Sequence, residues 1–142
     1  MTDEERAFFR RLIEEGIPFN AFLGLKVLHL EPGDCRLLLP FRSEFVGDAR
    51  RGALHGGVIS TLIDVCGGFT VWSRGHVDDR VATIDLRVDY LMPAVDGDIV
   101  AHGRLRLLGN RVGNAQVEVF SREHPDRLLA EGKGVYNIRR RR

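Results

Sequence analysis

A histidine, two glycines and an aspartate are the residues best placed for chemistry. Leu54-His55-Gly56-Gly57-Val58 enters the longest apolar stretch of the chain, and Asp64 follows nine residues after the histidine. Consecutive glycines at a helix start leave backbone N–H groups unobstructed, and the first four N–H groups of a helix have no partner within it. The helix macrodipole adds partial positive charge there. Such an end can accept a carbonyl oxygen that becomes an oxyanion during acyl transfer. The plainer reading is a tight turn that happens to hold glycines. Asp64 is the only acidic or basic side chain between His55 and Arg74. An unpaired carboxylate inside an apolar helix is costly, and such groups concentrate in active sites. The alternative is an Asp satisfied by the backbone amides of a neighbouring loop.

Spacing adds a demand. Asp64 lies seven residues after Gly57, on the same helix face but about 10.5 Å further along the axis. A catalytic group must come within about 3 Å of the reacting atom, directly or through one water. One chain therefore does not bring both groups to one carbonyl. Two such helices, antiparallel across a two-fold axis, would bring Asp64 of one subunit to Gly57 of the other. A homodimer with shared sites is the expectation.

The elements that must position these residues read as α+β. Thr2 and Glu5 have capping-box spacing, and Phe8, Phe9, Leu12 and Ile13 recur at helical intervals until Gly16 and Pro18. This predicts a short helix in an N-terminal arm, residues 1–18, serving as lid or packing arm. Leu25, Val27 and His29 alternate with Lys26, Leu28 and Leu30, and Cys35, Leu37 and Leu39 continue the period of two beyond the Glu31-Pro32-Gly33-Asp34 turn. A loop spans Arg42–Leu54. From Gly56 to Arg74 the apolar residues cover nearly the whole helix circumference, which predicts one buried helix. Gly67 and Gly68 within it suggest close approach by another backbone. Four further strands follow, the first with Ile84, Leu86, Val88 and Tyr90 alternating against Thr83, Asp85, Arg87 and Asp89. Parity sets Thr83 away from the helix. A single antiparallel sheet of five to six strands, curled around the central helix, buries its apolar face.

Composition bounds the function. The 142 residues form one domain, 44% hydrophobic and 29% charged, which excludes disorder and repeats. No apolar run spans a bilayer, and Cys35 and Cys66 are too few for a disulfide framework, so the cytoplasm is expected. The net charge is +1, and the basic tail Arg139–Arg142 contributes four positive charges, leaving a body of −3. That body gives no argument for nucleic acid. There is no His/Cys cluster with metal-ligand spacing and no Gly-x-Ser-x-Gly elbow.

Leu54-His55-Gly56-Gly57 with Asp64, the Phe19–Val27 stretch, Asp89-Tyr90-Leu91-Met92-Pro93 and the Gly109–Arg111 turn together resemble the hotdog-fold acyl-CoA thioesterases of the phenylacetate-pathway subgroup. The resemblance covers nearly the whole chain. It implies a hotdog fold, pairing of two chains through the strand near Val81–Tyr90, and tetramers built from two such dimers. It implies that the Gly57 amide polarises a thioester carbonyl, with Gly56 beside it, and that Asp64 is general base or nucleophile. His55 would fix the loop and the carbonyl, and Thr83 would hold the attacking water. Members often carry an Asn shortly before the His-Gly-Gly loop; Asp48 stands nearest to that position here, and a carboxylate does not donate unless protonated. Arg111 matches a position that contacts the nucleotide of coenzyme A, and Arg50 and Arg51 are further phosphate candidates. The implied reaction is hydrolysis of an aryl- or medium-chain acyl-CoA to free acid and CoA, without metal or redox cofactor. The alternative is a hotdog protein that binds acyl-CoA or an acyl carrier without hydrolysing it.

Overall fold

The capping box forms as the spacing requires: Thr2 Oγ1 accepts from Glu5 N–H, and the Glu5 carboxylate accepts from Thr2 N–H. It starts α1 (Asp3–Arg11), the first element of a computed structural model that describes residues 1–142. The chain continues through a π-helical turn at Leu12–Gly16 into a second helix, α2 (Pro18–Leu23). Pro18, read as a stop, occupies the first turn of α2, where a missing N–H costs nothing. Gly24 ends the helix in the left-handed region at φ 74°. The arm belongs to the core rather than lying over it. Phe9 and Ile13 are buried, and Phe9 meets Phe69 and Trp72 edge-on at centroid distances of 6.3 and 5.7 Å.

The strands are β1 (Lys26–Glu31), β2 (Asp34–Leu39), β5 (Arg80–Tyr90), β6 (Ile99–Leu108), β7 (Val112–Ser121) and β8 (Leu128–Arg139). They form one antiparallel sheet in the order β1-β2-β6-β7-β8-β5. Within the expected Arg42–Leu54 loop, β3 (Val46–Asp48) and β4 (Ala53–Leu54) make a separate two-stranded ribbon. The central helix α3 (Gly56–Trp72) crosses the concave face of the sheet, burying Ile59, Leu62, Ile63, Cys66 and Phe69. The sheet lets it sink close. A side chain at Gly132 would come within 2.7 Å of Ile63. The close approach at Gly67 comes from a side chain and not from a backbone: any Cβ there would collide with the Tyr136 hydroxyl.

Two bulges change which residues face α3. In β1 the register shifts between Val27 and His29, so Leu30 turns inward beside Leu25 and Val27, and His29 turns out. In β5 it shifts between Thr83 and Asp85. Thr83 pairs with Tyr136 and Leu86 with Gly134, so both sides of the bulge face the helix while Ile84 is 57% exposed. The parity expected for Thr83 is thereby reversed.

The two sheet edges differ. Side chains of the arm occupy the outer edge of β1: Glu14 accepts from Val27 N–H, Arg10 donates to Val27 C=O, and Arg6 donates to Leu30 C=O. The eleven-residue β5 pairs only with β8. The basic tail is partly docked: Arg139 ends β8, Arg140 reaches Asp79 and the carbonyls of Gly109 and Asn110, and Arg141 N–H donates to Asp79. Burial raises the Asp79 carboxyl, but N–H groups of His76 and Arg141 and the Arg140 guanidinium outweigh it and hold it below the usual range. No helix is long and apolar enough to cross a membrane.

Candidate active site

At the start of α3, His55 is the N-cap residue, and its Nδ1 accepts from Gly57 N–H at 2.8 Å. This differs from the expectation for Gly57, whose amide is already engaged. The neighbouring Gly56 N–H, at the first helical position, has no acceptor within the chain. The open donor is therefore Gly56, one residue earlier than the spacing alone suggested. Tyr90, at the end of β5, lies against it: the hydroxyl donates to Gly56 C=O at 2.9 Å, and a side chain at Gly56 would sit 3.2 Å from the ring. Leu54, Gly56, Ile59, Tyr90, Met92 and Ala94 line a hollow of about 270 Å³ at this helix end. Sequence reasoning gives Tyr90 no role; its signal is its place at the strand end immediately before Leu91-Met92-Pro93.

Two turns along, Asp64 is half-buried rather than enclosed. Thr83 Oγ1 donates to its Oδ1 at 2.7 Å, across from β5. No cation pairs with it, as its helical neighbours implied. Tyr136, 1% exposed, donates its hydroxyl to the Asp64 backbone carbonyl at 3.0 Å, and burial followed by the nearby Asp64 charge pushes the phenol up, so it stays a neutral donor. Asp64 and Thr83 share a cavity of about 210 Å³ with Ile17, Asn20, Phe69 and Trp72 among its walls. The arm thus supplies part of the pocket. Phe69 and Trp72 stack at 5.4 Å and make its aromatic side.

The other expected residues lie apart from this pair. Asp48 is exposed in the β3–β4 ribbon, accepts from Arg50 N–H at 3.1 Å and faces Arg51 at 3.8 Å. Arg50 and Arg51 are tied into the same turn, and Arg51 also borders a hollow with Met92, Asp96 and Arg127. Arg111 is exposed in the β6–β7 turn, beside Asn110, Asn137, Arg139 and Arg140 around a hollow of about 420 Å³. The structure brings Asp64 and Thr83 together, and His55 with both glycines. Eight residues separate Gly56 from Asp64, about 12 Å of helix, and the two groups do not meet within one chain.

The family model of the thioesterase superfamily matches residues 51–127, which hold His55, Gly56, Asp64, Thr83 and Tyr90. The chain belongs to the thioesterase superfamily. Its relatives include a medium/long-chain acyl-CoA thioesterase, YigI, of Escherichia coli K12, 33% identical over 75% of this chain and 77% of that protein. A point mutant of the phenylacetic acid degradation protein PaaI from Thermus thermophilus superposes with a TM-score of 0.73 at 30% identity, covering 84% of this chain and 97% of that one. A Shewanella oneidensis protein related to the thioesterase superfamily reaches a TM-score of 0.84 at 25% identity, over 96% and 99% of the two chains. The helix-wrapping sheet is the hotdog fold of this superfamily, and the superfamily's chemistry is thioester hydrolysis.

Proposed function

We propose that this thioesterase hydrolyses acyl-CoA thioesters with medium-length or aryl acyl groups, using Asp64 of one subunit and the start of α3 of a second. The observation that carries the reading is the Asp64 carboxylate, fixed by Thr83 at 2.7 Å on the wall of a largely apolar cavity. Thr83 occupies Oδ1 and leaves Oδ2 to take a proton from water. The water oxygen bonds to the thioester carbon, and the carbonyl oxygen gains charge against the Gly56 N–H and the positive end of the partner's helix. The C–S bond then breaks, and the proton held by Asp64 passes to the departing thiolate. Protein groups alone complete this sequence.

The unpaired β5 edge supports the dimer. An open edge of eleven residues invites pairing with a second copy, whereas the β1 edge is already covered. Pairing β5 to β5 sets two α3 helices antiparallel, as the roughly 12 Å gap demands. A dimer of dimers would follow the habit of the superfamily. Arg111, with Arg139 and Arg140 nearby, suits the phosphates of coenzyme A. Buried Cys35 and Cys66, both free, suit a reducing cytoplasm.

Thiol release from a panel of acyl-CoAs tests the reading. Turnover of medium-chain or aryl thioesters is expected. Tight binding with no thiol released would replace hydrolysis by a carrier or sensor role, and full activity from a monomer at micromolar concentration would remove the shared site.

A further inference from the structure

The cavity beside Asp64 contains few polar groups, and nearly all are committed. The carboxylate only accepts. Thr83 gives its hydroxyl hydrogen to Asp64 Oδ1, and Tyr136 gives its own to the Asp64 carbonyl. Trp72 gives its indole N–H to His76 C=O, and the remaining polar side chain on the wall is Asn20, carried there by α2. Asn20 is 2% exposed, and its Nδ2 has no acceptor in the chain. Buried amides normally find partners, because hydration lost on burial is otherwise not recovered. A leucine would fill a similar volume without that loss. The chain therefore keeps an unsatisfied donor on the wall of the cavity that holds the reactive acid.

We propose that Asn20 orients the hydrolytic water. The inference rests on the thioesterase reading above. The water donates one hydrogen to Asp64 Oδ2 and accepts from the Asn20 amide, which leaves a lone pair directed at the thioester carbon. The C–O bond forms as the proton moves to Asp64, and the C–S bond breaks as that proton reaches the thiolate. Asn20 keeps its own protons throughout. The helix α2 is then part of the catalytic apparatus as well as of the core.

The test is Asn20→Leu in the full chain, assayed with octanoyl-CoA and phenylacetyl-CoA alongside thermal melting. The expected result is a kcat lowered about tenfold or more on both substrates, with KM within about twofold, because the lost contact is to water and not to the acyl group. The melting temperature should be unchanged or higher, since an unsatisfied polar group has been removed. A lowered melting temperature with kcat intact would make Asn20 structural and overturn the proposal. A loss confined to one acyl group would make it a substrate contact and overturn it as well. If the wild-type protein releases no thiol from either substrate, the thioesterase reading itself fails. That outcome is distinct from an active wild type whose variant is equally fast, which overturns the role of Asn20 alone.

Discussion

The start and the middle of α3 are two polar stations built by opposite means. At the start, backbone does the work: glycines expose N–H groups, His55 caps one of them, and Tyr90 closes over Gly56. The station attracts negative charge. In the middle, side chains do the work: a carboxylate is aimed by a threonine from β5 and backed by Tyr136 through its carbonyl. That station accepts protons. Each has half of what thioester hydrolysis needs, and one straight helix holds them about 12 Å apart. The difference is what leads us to propose a reaction divided between two copies: β5 carries both Thr83 and Tyr90 and has an edge unpaired within the chain.

Substitutions at each station separate their contributions. Asp64→Asn should have the largest effect, lowering kcat about 10²–10⁴-fold with an unchanged melting temperature, measured by thiol release and circular dichroism. Gly57→Ala attacks the other station, because its Cβ would lie 2.9 Å from His55 Nδ1 and displace the cap. A loss of about 10²-fold in kcat is expected, with about 0.5–2 kcal/mol of stability gone in denaturant melts. Thr83→Val keeps the shape and removes the hydroxyl that aims Asp64, so kcat should fall about tenfold with KM steady. A fall in kcat matched by an equal rise in KM would show that Thr83 binds substrate instead. Arg111→Ala touches neither station and should be the mildest: a KM for acyl-CoA raised about threefold to tenfold, kcat unchanged, and the difference shrinking at high salt.

The same division separates what could be read along the chain from what could not. Local patterns were legible. The capping box at Thr2 and Glu5, the all-round apolar stretch of α3 and the period-two strands each express one element's own needs, and they led to the observed sheet and helix. The His55–Gly57 segment and Asp64 also stood out, since glycine pairs and a lone acid are unusual in such a helix. Details set by inserted residues were hidden. Alternation from Thr83 to Tyr90 looks strict, and only the pairing with β8 reveals the bulge that turns Thr83 toward Asp64. Which of the Gly56 and Gly57 N–H groups stays open depends on the one that the His55 ring reaches, a matter of side-chain geometry. Tyr136 is 72 residues from Asp64, and nothing local to it announces the contact. Asn20 was obscured because Pro18 resembled an end to helix rather than a beginning. The docking of the arginine tail was hidden because Asp79, its buried partner, lies 61 residues before Arg140.

Mixed assembly tests the divided site most directly. Asp64→Asn chains and Gly57→Ala chains, in which the displaced His55 cap disturbs the helix start around the Gly56 N–H, each retain about a hundredth of wild-type activity or less alone. They are unfolded together, refolded and assayed for thiol release. Random pairing makes about half the dimers mixed, and each mixed dimer carries one site with both native groups and one with neither. Activity should return to about a quarter of the wild-type level. A mixture no more active than its two components would contradict the account, because it would mean that both groups serve a site within a single chain.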